Sequence, residues 1–154
     1  MKLLIAIIAG MTALLPVPSL SGETGLGIRQ PWIREAPPTA RVLAAYMIIE
    51  NPGNTPVTIS RITSPEFQRC ELHRTQVEEG VAKMVPVTAL EIPATGSVAL
   101  LPGGLHLMLF EPVRPLRESD SATLVIHDGA GASTTVNAPV VRKVGGSAHH
   151  EHHH

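Results

Sequence analysis

Thirteen glycines and fourteen prolines punctuate this 154-residue chain so closely that no stretch with a helical apolar period runs long enough to build a buried helix. Proline inside a helix removes an amide donor and clashes with the preceding turn, whereas short strands joined by tight turns accept both residues. The separators are Pro37-Pro38, Asn51-Pro52-Gly53-Asn54, Glu79-Gly80, Ala94-Thr95-Gly96, Pro102-Gly103-Gly104 and Asp128-Gly129-Ala130-Gly131. Between them lie segments rich in Val, Ile, Thr and Leu. They predict strands over 27–33, 42–51, 56–63, 69–75, 81–86, 97–101, 105–110, 122–127 and 134–140. Turn signals at this spacing point to an all-β fold, a Greek-key sandwich or barrel. With 44% hydrophobic residues the chain can bury one core, and its length suits one domain.

The two ends differ from this middle. Residues 1–21 begin Met1-Lys2, continue through a mostly apolar run from Leu3 to Leu15, and break at Pro16 and Pro18 before Ser19-Leu20-Ser21. The apolar run falls short of the roughly 20 residues that span a bilayer, so the segment reads as a signal peptide cleaved after Ser21. The expectation is therefore an exported protein, periplasmic, with no membrane attachment after cleavage. Residues 22–143 form the expected folded domain. Residues 144–154 carry a Gly-Gly-Ser linker and five histidines, His149, His150, His152, His153 and His154, which read as a flexible natural tail with room for a second metal site.

Charge and cysteine content exclude several function classes. Twelve Lys and Arg against thirteen Asp and Glu, with neither sign clustered, leave no footprint for nucleic acid. The single cysteine, Cys70, excludes an intrachain disulfide, a CxxC redox pair and cysteine-rich zinc or iron–sulfur sites. No Gly-x-Ser-x-Gly elbow is present, and the reading is a protein that is not an enzyme.

The chemistry concentrates in four residues. His106 and Met108 stand two apart on an expected strand, so an imidazole and a thioether share one face, close to solvent after Pro102-Gly103-Gly104. His73 and Met84 lie on two segments joined around Glu79-Gly80, as in a hairpin. Imidazole and thioether together make a soft to borderline-soft donor set that favours Cu(I) over zinc, iron, calcium or magnesium. Each residue has an ordinary alternative, because methionine usually fills cores and histidine is often merely satisfied at the surface. Met47 reads as core. His127 reads as a turn residue before Asp128-Gly129, and Cys70 as a small buried hydrophobe on the face opposite His73.

His73, ten residues, Met84, twenty-one residues, then His106-x-Met108 matches the signature of the periplasmic copper chaperones of the PCu(A)C type, which this sequence resembles over roughly residues 27–141. Further resemblance lies in Pro31-Trp32-Ile33-Arg34, Ala44-Ala45-Tyr46, Glu71-Leu72-His73, Gly80-Val81 and the Leu101–Leu109 stretch. The resemblance implies a cupredoxin-like β-sandwich that binds one Cu(I) through His73, Met84, His106 and Met108. It further implies a monomer that passes copper to the cytochrome c oxidase copper centre or its assembly factors. A histidine-rich tail in such a protein would be expected to take Cu(II).

Two other readings stay open at this level. An electron-transfer cupredoxin needs a thiolate and two histidines, and Cys70-Glu71-Leu72-His73 imitates part of such a loop, but no histidine precedes Cys70 within the expected domain. A secreted Ig-like interaction module with a metal-sequestering tail would leave the four residues incidental.

Overall fold

Along residues 105–109 leucine recurs at every second position, and Leu105, Leu107 and Leu109 are buried, so a period of two settles which face of that strand enters the core. The structure, a computed structural model, describes residues 25–142. Its ten strands are β1 (Gly27–Arg34), β2 (Val42–Glu50), β3 (Val57–Thr63), β4 (Phe67–Glu78), β5 (Val81–Pro86), β6 (Leu90–Ile92), β7 (Ser97–Leu100), β8 (Leu105–Pro112), β9 (Ser121–Asp128) and β10 (Ser133–Val141). No helix occurs among the described residues. The expected signal peptide and histidine tail lie outside them.

The strand order is β5-β4-β8-β2-β1-β10-β9-β3-β6, with β7 also on β2. Every pairing is antiparallel except β1 with β10, where Ile33 opposes Val140 and Arg34 opposes Val141. That parallel seam joins two antiparallel halves, which fold over one core as a cupredoxin-like β-sandwich. Leu43, Ala45, Met47, Leu72, Leu107 and Leu109 come from the first half, and Ile59, Leu90, Leu124, Ile126 and Ala138 from the second. Met47 is buried, as the sequence predicts.

Two local features shape the region around β4, β5 and β8. Residues 42–45 of β2 pair with β8 and residues 47–50 pair with β7, so β7 and β8 are successive lengths of one path along β2. The segment between them is extruded as a turn in which Gly104 N–H donates to the Leu101 carbonyl at 3.1 Å. Pro102 supplies its fixed φ at the second position and Gly103, at φ 80°, the left-handed third position, as a type II turn requires. The second feature is the β4–β5 hairpin, whose two-residue turn Glu79-Gly80 has φ values of 51° and 78°. Two left-handed residues in succession make the type I′ geometry that matches strand twist.

The strand expectations need three corrections. β6 was not foreseen, because three residues are too few for an alternation to register. β4 is longer than 69–75 and carries the hairpin beyond the sandwich to Glu78. β9 runs one residue past the expected strand 122–127, to Asp128, so His127 lies within the strand rather than at the turn that follows it, opposite Arg61 and Ser133, with its Nε2 3.0 Å from Thr63 Oγ1.

Candidate metal centre

Strands β5, β4 and β8 lie side by side, and their registers decide which side chains share the outward face. His73 of β4 stands directly opposite His106 of β8, Glu71 opposite Met108, and Arg69 opposite Phe110. On the other side of β4, Thr75 opposes Met84 and His73 opposes Pro86. Cross-strand partners project to the same face, so His73, Met84, His106 and Met108 all stand on the side away from the core, while Leu72, Leu107 and Leu109 between them point inward. The structure brings both sequence-predicted pairs onto one face of three adjacent strands.

That face is more sheltered than the expected solvent-facing strand start. His106 is only 6% exposed. Its ring flanks a cavity of about 410 Å³ lined also by Tyr46, Thr75, Met84, Gly103 and Met108. Tyr46 is itself buried and stacks on Trp32 with ring centroids 4.5 Å apart. In a flat sheet Met84 and Met108 would diverge, because Met84 pairs two residues beyond His73 and Met108 two residues before it. Both nevertheless line the same cavity, whose wall also includes Thr75 of β4 and His106 of β8. Met84 remains the open corner at 61% exposure, and Met108 is part-buried.

Hydrogen bonding distinguishes the two imidazoles. His106 Nδ1 lies 2.9 Å from the Gly104 carbonyl oxygen, which also accepts from Thr75 N–H at 3.2 Å. A carbonyl oxygen can only accept, so Nδ1 carries the hydrogen and Nε2 keeps a free lone pair. His73 Nε2 lies 3.0 Å from Glu71 Oε2, and its Nδ1 is buried with no hydrogen-bond partner. A buried polar atom without a partner is costly unless it has a use, and ligation is the use open to an imidazole nitrogen. The two ring centroids are 6.4 Å apart. With metal–nitrogen bonds of about 2 Å, imidazoles sharing one ion have centroids about 5–6 Å apart, so the pair needs an approach of about 0.4–1.4 Å. Among the described residues no group of three or more His, Cys, Asp or Glu side chains could hold a metal.

Charged groups frame the face at two places. Arg69 Nε donates to Glu71 Oε1 at 2.9 Å while its guanidinium lies 4.2 Å from the Phe110 ring centroid. Glu35, on the cavity wall, has its carboxyl held below the usual range by a hydrogen bond from Arg142 and by the Glu118 backbone N–H. Cys70 faces inward, half-buried against the core, and burial pushes its thiol up to about 11. It stands on the face opposite His73 and away from the four candidate donors, as expected of a small hydrophobe.

Sequence reasoning passed over Glu71 and the Gly104 carbonyl as functional groups. The Glu71-x-His73 spacing was a usable signal, since residues two apart share a strand face. The carbonyl carries none, because only the extruded turn aims it. His149, His150, His152, His153 and His154 lie outside the described residues.

The family described as "LpqE-like: Putative lipoprotein LpqE-like" matches residues 26–140. A curated relative, "Putative lipoprotein Lxx21020" of Leifsonia xyli subsp. xyli, is 26% identical over 117 residues, covering 75% of this chain and 69% of its own. Among solved structures, the copper-bound PCuAC domain from PmoF2 superposes with a TM-score of 0.66 at 19% identity, over 79% of this chain and 97% of that domain. The solution structure of CuI-DR1885 from Deinococcus radiodurans aligns with a TM-score of 0.56 at 26% identity, over 81% of each chain.

Proposed function

Since this chain belongs to the LpqE-like family and has the fold of PCuAC domains, we propose that it is a copper chaperone that carries one Cu(I) on His73, Met84, His106 and Met108. The observation that carries the reading is the convergence of these two imidazoles and two thioethers on one outward face, with a lone pair free on each ring. The Cu(I)-bound form of the Deinococcus protein, similar over 81% of this chain, supports the choice of ion.

Copper here is cargo, and the site suits acquisition and release. Thioether sulfur is neutral and soft, so it holds Cu(I) without the oxidation hazard of a thiolate in an exported protein. The histidines supply the stronger donors from a sheltered position. Met84, on the β4–β5 hairpin and largely exposed, is the donor a partner's ligand can displace first. Acceptors in the proposed route are copper-accepting proteins of cytochrome c oxidase assembly, reached from the periplasm after removal of residues 1–21. His149, His150, His152, His153 and His154 are proposed to collect Cu(II) as an accessory site.

The test is Cu(I) titration of the full chain against a chromogenic chelator, beside a variant carrying His106→Ala and Met108→Ala. Both chains retain the histidine tail, so the difference isolates the folded site. Loss of one tight equivalent in the double variant is expected. Equal binding by both chains would refute the four-residue site.

A further inference from the structure

Resting on the copper reading above, the contacts around His73 assign a role to a residue that is not itself a donor. Glu71 and His73 lie two apart on β4, and Glu71 Oε2 meets His73 Nε2 at 3.0 Å. Its other oxygen accepts from Arg69 Nε at 2.9 Å, and the Arg69 guanidinium is stacked against Phe110, its cross-strand partner. The carboxylate is thus held from behind by a side chain that is itself anchored. A carboxylate only accepts, so the hydrogen of the His73 ring resides on Nε2 and the lone pair on Nδ1. That Nδ1 is the one buried side-chain nitrogen or oxygen among the described residues without a hydrogen-bond partner.

We propose that Glu71 is the positioning residue of the metal centre: it fixes the His73 tautomer and ring orientation so that copper is bound through Nδ1, while the Gly104 carbonyl makes His106 bind through Nε2. The two histidines then differ in their ligating atoms. Each is oriented by an acceptor from its own local chain, the i−2 carboxylate on β4 for His73 and the i−2 carbonyl of the extruded turn for His106. Metal-ligating histidines as a class rely on such acceptors, and removing one weakens metal affinity by about 10–100-fold.

Cu(I) is diamagnetic, so long-range proton–nitrogen NMR of the full chain reads the tautomer and the ligating nitrogen of each ring, residue by residue, without interference from the tail. The expected result in the metal-free protein is hydrogen on Nε2 of His73 and on Nδ1 of His106. On adding Cu(I), the His73 Nδ1 and His106 Nε2 resonances shift. Glu71→Ala is expected to mix the His73 tautomers and weaken Cu(I) binding by about 10–100-fold at unchanged stoichiometry, with His106 unaltered. Glu71→Gln, which keeps an acceptor oxygen, recovers part of that loss. Copper-induced shifts on both rings with His73 reporting through Nε2 would overturn the positioning role alone. So would a Glu71→Ala chain with its His73 tautomer and affinity intact. Absence of a copper shift at either ring would instead remove the copper reading itself. The tautomer measurement on the unaltered chain decides the matter even where Glu71→Ala fails to fold.

Discussion

Leu107 and Met108 are adjacent on β8 and serve opposite faces, so exchanging one or the other separates stability from copper binding. Leu107 is completely buried, with Ala45 and Leu72 as its cross-strand partners. Leu107→Ala deletes three carbons, worth about 2.4 kcal/mol at about 0.8 kcal/mol per buried methylene, and the cavity left behind raises the cost to about 3–4 kcal/mol. For a domain of this size each kcal/mol lowers Tm by about 4 °C, so the variant is expected to melt about 12–16 °C earlier. Met108→Leu nearly conserves volume on a part-buried outward position and should cost less than about 1.5 kcal/mol, or about 6 °C. The copper effects reverse this order. Leu107→Ala, assayed well below its melting point, keeps its tight Cu(I) equivalent, whereas Met108→Leu loses a sulfur donor and binds Cu(I) more weakly. Thermal melts of metal-free protein by circular dichroism and chelator competition at low temperature supply the two axes. If Met108→Leu lowered Tm as far as Leu107→Ala does, or left Cu(I) affinity unchanged, Met108 would be a packing residue and the assignment of faces to roles would fail.

Single groups outside the donor set carry three further expectations. Burial pushes the Cys70 thiol up to about 11, so the folded state disfavours the thiolate. Stability should therefore fall as pH rises from the ordinary thiol range towards 11, and alkylation at pH 9 should be slow until urea unfolds the chain. The carboxyls of Glu35, Glu111 and Asp120 are held below their usual values, first by side-chain hydrogen bonds from Arg142, Arg41 and Arg114 respectively. Their stabilisation is present above the normal carboxylate range and lost as pH falls through the lowered values, so stability should decline slightly below about pH 4, slightly because exposed pairs contribute little, and thermal melts at several pH values check it. Gly103→Ala places a Cβ in open space but at φ 80°, so its cost is backbone strain of about 1–2 kcal/mol. Melting should register that strain, and Cu(I) titration should show weaker binding, because the turn that aims the Gly104 carbonyl at His106 is disturbed.

Strand positions were legible from segments rich in Val, Ile, Thr and Leu between turn signals, and along 105–109 also from leucine at every second position, because burial on a period of two leaves its record in composition. β6 left no such record at three residues. Nor did the continuity of β7 with β8, since that depends on both segments choosing β2 as partner, a choice made by packing across the sandwich rather than by either segment's own residues. Pro102-Gly103-Gly104 was readable as a break between strands. Its actual place, as an extrusion in a path that resumes at Leu105, comes from tertiary pairing.

The four proposed donors stood out in the sequence for a different reason. Soft metal chemistry narrows the residue types to a few, and the domain holds three histidines and three methionines, so spacing could sort them. What spacing could not convey was the relation among them. Strand register places Met84 and Met108 on opposite diagonals of His73, yet both line the cavity that His106 flanks. The shelter of His106 was equally hidden, because an outward position on a strand ordinarily meets water, and here Tyr46, Thr75 and Met84 line the cavity beside it. A sheltered pair of imidazoles with one exposed sulfur therefore follows from how β5, β4 and β8 pair and from what β2 sets beside them, Tyr46 above all, and spacing along the chain records neither.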